Sequence, residues 1–416
     1  MRDPALFGRA DAASNGAGVG GRALTRRMVL GAAAAAAGAA AAGSRVVEAW
    51  AGHEPRRPTP DRPPPSDELF THEETVLAFR NHGFHLEMLR EPITPLGSHF
   101  LLIHFDIPKL DAADYRIAIG GRVRTPLTVT LDDLKRRDVV KQPSILECAG
   151  TGRSYAHPRA IYVPWFNEPI GVYEYTGTPL RPLLEEAGLL DDAVEIVFGG
   201  HDEGVDLGVR HHFERALPVD EALGDGVILA WEANGQPLLP AHGFPLRLVV
   251  PSWYGMASVK WLSSITVIDH PFQGVEQEQV YRLQTSPSDG GRPVQKKSVR
   301  AAMMPPGFPD AISRYRFLSP GRHMLQGMAW SGHGPIVRVE VSTDDRRTWK
   351  EAKLERPVSP YAWTPWKFEW NVTTPGEYLL SSRATDAERN IQPLEPFWNV
   401  QGMAQNAVER IPARVL

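Results

Sequence analysis

The 416-residue chain reads as an α+β protein, a mixed α/β domain followed by an immunoglobulin-like β-sandwich. Three observations predict this. Over residues 95–270, strand-like and helix-like patterns alternate. From residue 337 onward, short alternating strands follow one another with turns between them and no helix pattern. Glycine and proline, 37 of each, make up about 18% of the chain where roughly 12% is usual, a composition of turns and sheet and not of a helical bundle.

Taken in order, the chain opens on an export signal. Arg22, Arg26 and Arg27 precede an uncharged, Ala-rich run over residues 28–43, and Ala49-Trp50-Ala51 offers a small-x-small cleavage site. The paired arginines of Thr25-Arg26-Arg27-Met28 resemble a twin-arginine signal, the route of proteins exported already folded. Residues 1–51 are therefore assigned to a signal, with an uncleaved anchor as the alternative, and a periplasmic or other extracytoplasmic location is expected. Residues 52–94 read as a Pro-rich linker and a short helix over 67–90, N-capped by Ser66. The mixed domain, residues 95–290, carries strand patterns at 115–119, 194–198 and 246–250. Its helix patterns lie at 130–135 and at 179–187, the latter ended by Gly188. After a loop-rich stretch at 271–315, strands are expected at 337–342, 349–354, 366–370 and 377–383 within a second domain, residues 291–416.

Composition narrows the function. Lys+Arg 45 against Asp+Glu 49 gives a net charge of −4, which lacks the basic footprint of a nucleic-acid binder. One cysteine in the whole chain excludes an intramolecular disulfide, a cysteine-held iron–sulfur cluster and a C-x-x-C-H haem attachment.

That cysteine lies in Ser144-Ile-Leu-Glu-Cys-Ala-Gly-Thr-Gly-Arg153, where an apolar strand enters and a Gly-rich loop leaves. A lone cysteine is most often an inert buried hydrophobe. Here the loop amides and Arg153 also suit a thiolate that binds a soft metal, and spacing alone leaves both readings open. A second stretch, His242-Gly-Phe-Pro-Leu-Arg247 followed by Val259-Lys-Trp-Leu262, groups His242, Arg247 and Lys260 around a strand. That is either an anion cradle or a solvated strand edge with snorkelling side chains.

Together these segments closely resemble the sulfite oxidase family of molybdenum enzymes, and Trp330-Ser-Gly-His-Gly334 with Val337-Arg-Val-Glu-Val-Ser342 resembles that family's C-terminal dimerisation domain. The resemblance runs over residues 95–400. It implies a molybdopterin-binding domain of sulfite oxidase type, a molybdenum–molybdopterin cofactor with Cys148 as metal ligand, and His104, His242, Arg247, Ser258 and Lys260 as pterin and phosphate contacts. It further implies an active-site Tyr281, a substrate-pocket Arg153, and oxygen-atom transfer to or from a small oxyanion or oxo-substrate. A homodimer and an external electron-transfer protein such as a cytochrome c are the implied partners.

The sequence departs from the family where cations are usual. Leu102-Ile103 precedes His104 where sulfite-oxidising members often carry an arginine, Thr151 replaces an asparagine, and His333, a titratable side chain, stands where the second domain often lends a pocket arginine. A sulfite dehydrogenase-like enzyme is expected, with a reductase of a sulfoxide or other oxo-substrate, or a non-catalytic binding module, as alternatives. His211-His212 reads as a surface pair, Asn371-Val-Thr373 as a strand-end turn, and Trp363, Trp366 and Trp370 as sandwich core or interface.

Overall fold

The computed structural model describes residues 70–416. The export signal, the Pro-rich linker and Ser66 lie outside the described residues. The first described helix is shorter than the expected 67–90. It spans His72–Arg80, and its N-cap is Thr71, whose hydroxyl accepts from Glu74 N–H while the Glu74 side chain accepts from Thr71 N–H. Asn81 ends it in extended backbone, and only a 3₁₀ turn, Leu86–Arg90, follows.

Two sheets build the first domain. One runs, in spatial order, Leu127–Thr130, Arg116–Gly121, Leu262–Ile268, Glu195–Asp206 and Val209–Pro218, with Arg116–Gly121 parallel to Leu262–Ile268 and the other pairs antiparallel. In the other, Val140–Glu147 pairs with Ile170–Pro179, which pairs with Ile228–Ala233, and that strand also takes Arg247–Val249. Alternation explains the first sheet, since Ile117 and Ile119 face the core while Arg116 and Ala118 are exposed. The end of Val140–Glu147 is buried on both faces, Ser144 and Glu147 included, so alternation is lost over residues 144–147.

The two expected helices form as Leu131–Lys135, capped by a Thr130–Asp133 capping box, and Arg181–Ala187, closed by Gly188 at φ 70°. Leu134, Leu183, Leu184, Phe198 and Leu246 fill the core between these elements.

The sandwich has one sheet of Arg300–Met303, Gly321–Trp330, Thr364–Val372 and Lys353–Leu354. The facing sheet runs Phe308–Pro309, Arg316–Leu318, Ile411–Val415, Gly376–Asp386, Ile336–Ser342 and Lys350–Glu351. Trp366 and Trp370 lie in its core, whereas Trp363 packs with Trp330, Phe84 and Ile145 between the domains. The stretch 271–315 is less loop-like than its composition suggests. It holds a short π-helical turn, Glu276–Val280, and the sandwich strand Arg300–Met303. Val294 still belongs to the first core, and Met403 returns to it from beyond the sandwich strands.

Candidate active site

Cys148 follows directly on the buried strand Val140–Glu147, so sheet pairing fixes where its side chain emerges. Cys148 N–H donates to Pro169 O (2.9 Å), Thr151 Oγ1 donates to Cys148 O (2.7 Å), and Gly150 N–H points at the sulfur (3.4 Å). Gly152, at φ 83°, supplies the left-handed turn that sends the chain away. Burial pushes the Cys148 thiol up, and Arg153 and the Gly150 N–H pull it down only in part. A bound cation is what deprotonates a thiol in such a place.

Cys148 lines a cavity together with His104, Asp202, His242, Arg247, Ser258, Lys260 and Tyr281. The structure thus brings together seven of the residues singled out in the sequence, and adds Asp202. The cationic side is braced from within. Arg247 donates to His242 O (3.1 Å) and Ser258 O (3.0 Å), and Lys260 Nζ donates to Leu102 O (2.9 Å) and Ala241 O (3.1 Å). Ser258 Oγ accepts from Val250 N–H, so it holds the loop in place. Desolvation and the neighbouring Arg247 push the Lys260 ammonium down to about 7, and desolvation, His99 and Arg247 keep His242 neutral.

On another wall His104 Nε2 lies 2.6 Å from Tyr281 Oη. Burial, with Lys260 and Arg215, pushes His104 down to about 3, so the ring is neutral. Burial raises the Tyr281 phenol, so it keeps its hydrogen. Phe213 stacks on His104 at 4.4 Å and 20°.

Two residues singled out in the sequence lie off the lining of this cavity. Arg153 does not line the cavity. Its guanidinium packs behind Gly150, where a Cβ would come within 2.7 Å of it, and donates to Val163 O (3.0 Å) and Gln401 O (2.9 Å). His333 is exposed in the turn after Trp330 and is also off the cavity wall. His211 is less of a surface residue than expected, for its ring meets Phe105 and its Nε2 lies 3.2 Å from Glu276 Oε1.

Asp202 escaped sequence reasoning because no motif surrounds it. Its Oδ1 is buried without a partner, and desolvation raises the carboxyl to about 6. The second domain's part was equally hidden. Ala404 N–H donates to Ala149 O (2.7 Å), and Arg300 and Trp330 converge on Glu147, next to the cysteine.

These residues fit a molybdopterin cofactor. The orphaned Asp202 oxygen is an acceptor waiting for a ligand N–H, and Arg247 and Lys260 suit a phosphate. A single thiol is offered to the metal, and among the described residues no three His, Cys, Asp or Glu side chains converge as a ligand set of their own. The metal's other ligands would then come with the cofactor.

Comparison with known proteins agrees. Residues 104–276 match the oxidoreductase molybdopterin binding domain, and residues 293–415 match the Mo-co oxidoreductase dimerisation domain. The chain is 31% identical to mitochondrial sulfite oxidase of Rattus norvegicus over 79% of this chain and 63% of that one, so it spans a little under two thirds of that relative's length. Sulfite oxidase of Gallus gallus is 30% identical, over 78% of this chain and 74% of that protein. Among solved structures, the sulfane dehydrogenase SoxCD from Paracoccus pantotrophus superposes with a TM-score of 0.68 at 26% identity, covering 86% of this chain and 92% of that one. Two matched domains in sequence order, with a single buried thiol at the cavity they predict, make this chain a member of the sulfite oxidase family of molybdopterin oxidoreductases.

Proposed function

We propose that the protein is an exported dehydrogenase that oxidises a small sulfur oxyanion, with sulfite as the leading substrate, and hands electrons to a separate acceptor protein. The observation that carries this reading is the one thiol, Cys148, opening onto a cavity that also holds the Arg247–Lys260 cradle and the His104–Tyr281 pair. When bound, the molybdenum cofactor supplies oxygen-atom transfer coupled to a two-electron change at the metal. The net reaction is sulfite plus water to sulfate, two protons and two electrons.

The chain's own residues divide the remaining work. Cys148 would bind the metal, while Arg247, Lys260 and Asp202 orient the cofactor. The neutral His104 gives the Tyr281 phenol two arrangements. In one, the Oη hydrogen goes to His104 Nε2. In the other, Nε2–H donates to Oη and the phenol hydrogen turns to an oxyanion in the cavity, a preorganised donor of the kind that stabilises shifting negative charge. Burial of the Tyr281 ring, with Phe213 stacked on His104, limits the water that competes for that hydrogen.

A second reading has specific support. Leu102, an apolar side chain, lines the cavity in place of an arginine, and the chain resembles the sulfane dehydrogenase SoxCD over 92% of that chain, which favours a less charged sulfur substrate. Reduction of ferricyanide by the metal-loaded protein, with sulfite and with a persulfide in parallel, separates the two. Sulfite-driven reduction supports the first, persulfide-driven reduction alone supports the second, and reduction by neither refutes both. Export rests on the Arg26-Arg27 signal pattern, and the sequence of the mature N-terminus after secretion tests it.

A further inference from the structure

Beneath the His104–Tyr281 pair lies a charge that neither the motifs nor the mechanism above uses. The strand Val209–Pro218 points Phe213 and Arg215, two residues apart, to the same side. Phe213 stacks under His104, and the Arg215 guanidinium lies 5.2 Å from the centre of the Tyr281 ring. Arg215 is 1% exposed. Its Nη1 donates to Glu276 O (2.6 Å) and its Nη2 to Val294 O (3.4 Å), both backbone carbonyls, and its Nε is buried with no partner. The nearby Glu276 carboxylate is turned to His211, and Arg215 forms no ion pair among the described residues. Glu276, Glu195 and Glu278 act on Arg215 from a distance without pairing with it, and a buried guanidinium met only by carbonyls and distant carboxylates attracts an anion to the other side of the cavity wall. The cavity wall there is Tyr281 itself, and Leu102, elsewhere in the lining, contributes no charge.

We propose that Arg215 is a specificity-determining residue that selects an anionic substrate by acting through the ring of Tyr281. It makes no contact with the substrate. It supplies through a low-dielectric wall the positive potential that a cavity-facing arginine would otherwise give, while Tyr281 keeps its hydrogen free to donate. The inference rests on the reading that an oxyanion occupies the cavity, so its test includes a binding measurement independent of turnover.

The experiment is calorimetric titration of the metal-loaded protein with sulfate, alongside sulfite kinetics, for the wild type and Arg215→Gln, Arg215→Lys and Glu276→Gln. Gln can still donate to the Glu276 carbonyl but carries no charge. Loss of a unit charge acting on the anion through a low-dielectric wall predicts sulfate bound about thirtyfold more weakly by Arg215→Gln, with a matching rise in KM and a kcat changed by less than about threefold. Arg215→Lys recovers most of the affinity. Glu276→Gln removes an opposing negative charge and binds sulfate more tightly than the wild type, a direction that mere loosening of the fold does not produce. Wild type and Arg215→Gln binding sulfate equally, a wild type that does not bind it, or Lys as weak as Gln each overturns the role of Arg215. Sulfate weakened by Arg215→Gln in a protein that leaves sulfite unoxidised sustains Arg215 and removes sulfite as the substrate.

Discussion

Replacing Arg300 by methionine tests how the second domain holds the cysteine. Arg300 is 4% exposed and Glu147 1%, with Nε 3.2 Å from Oε1 as an ion pair. Arg300 Nη1 also donates to Asn167 Oδ1 (2.9 Å) and Nη2 to Gln405 O, while Trp330 Nε1 donates to Glu147 Oε2 (2.7 Å). Removing one partner of a buried pair costs about 3–5 kcal/mol because the other charge is left unpaired. Trp330 and the buried Lys297 remain near Glu147, which sets the expectation at the lower end, about 3 kcal/mol. The loss has a pH signature. Burial already raises the Glu147 carboxyl above 4.5, and without Arg300 it rises further. A carboxyl whose folded pKa exceeds its unfolded one binds an extra proton when folded, so stability falls as pH climbs through that window. The deficit of Arg300→Met is therefore larger at pH 8 than at pH 5.5. Urea unfolding followed by tryptophan fluorescence at both values measures it, and the double variant Glu147→Met/Arg300→Met should recover most of the loss. A deficit under about 1 kcal/mol at pH 8, or one that does not change with pH, refutes the account of this node.

Three further outcomes follow from the cavity. Tyr281→Phe removes the partner 2.6 Å from His104 and is expected to lower kcat about 10²–10³-fold with molybdenum content unchanged, so a kcat near wild type in steady-state assays contradicts the donor role. Lys260 loses its proton near pH 7 in the cofactor-free cavity, and an anion binds the protonated form. Pyrophosphate affinity of cofactor-free protein should then fall as pH rises through that value and lie flat in Lys260→Met, which calorimetry at pH 6 and 8 resolves. His333→Ala should leave kcat/KM within about twofold, as for an exposed side chain off the cavity, and a tenfold loss would return His333 to the pocket.

What the sequence disclosed about the site was what local chain geometry encodes. The Cys148 loop and the segment from His242 to Arg247 are short turns whose glycines and cations sit within a few residues of one another, so their chemistry is visible in one stretch. Helix ends were legible for the same reason, through the Thr130–Asp133 box and Gly188. Asp202 and Arg215 lie on strands and acquire meaning only through partners on other elements, Lys260 and Tyr281, which no spacing announces. Arg153 and His333 were assigned by motif position. Gly150 lets the Arg153 guanidinium fold behind the loop, and the turn after Trp330 leaves His333 in solvent. The contribution of Arg300, Trp330 and residues 401–405 is a long-range contact, and the first described helix starts behind the Thr71 capping box and stops where Asn81 turns to extended backbone.

The most direct test is metal analysis of the purified mature protein beside its Cys148→Ser variant. The account predicts about one molybdenum per chain in the wild type, for its one thiol, and loss of sulfite-driven ferricyanide reduction in the variant. A correctly matured wild type without molybdenum, or a variant that reduces ferricyanide as well as the wild type does, contradicts it.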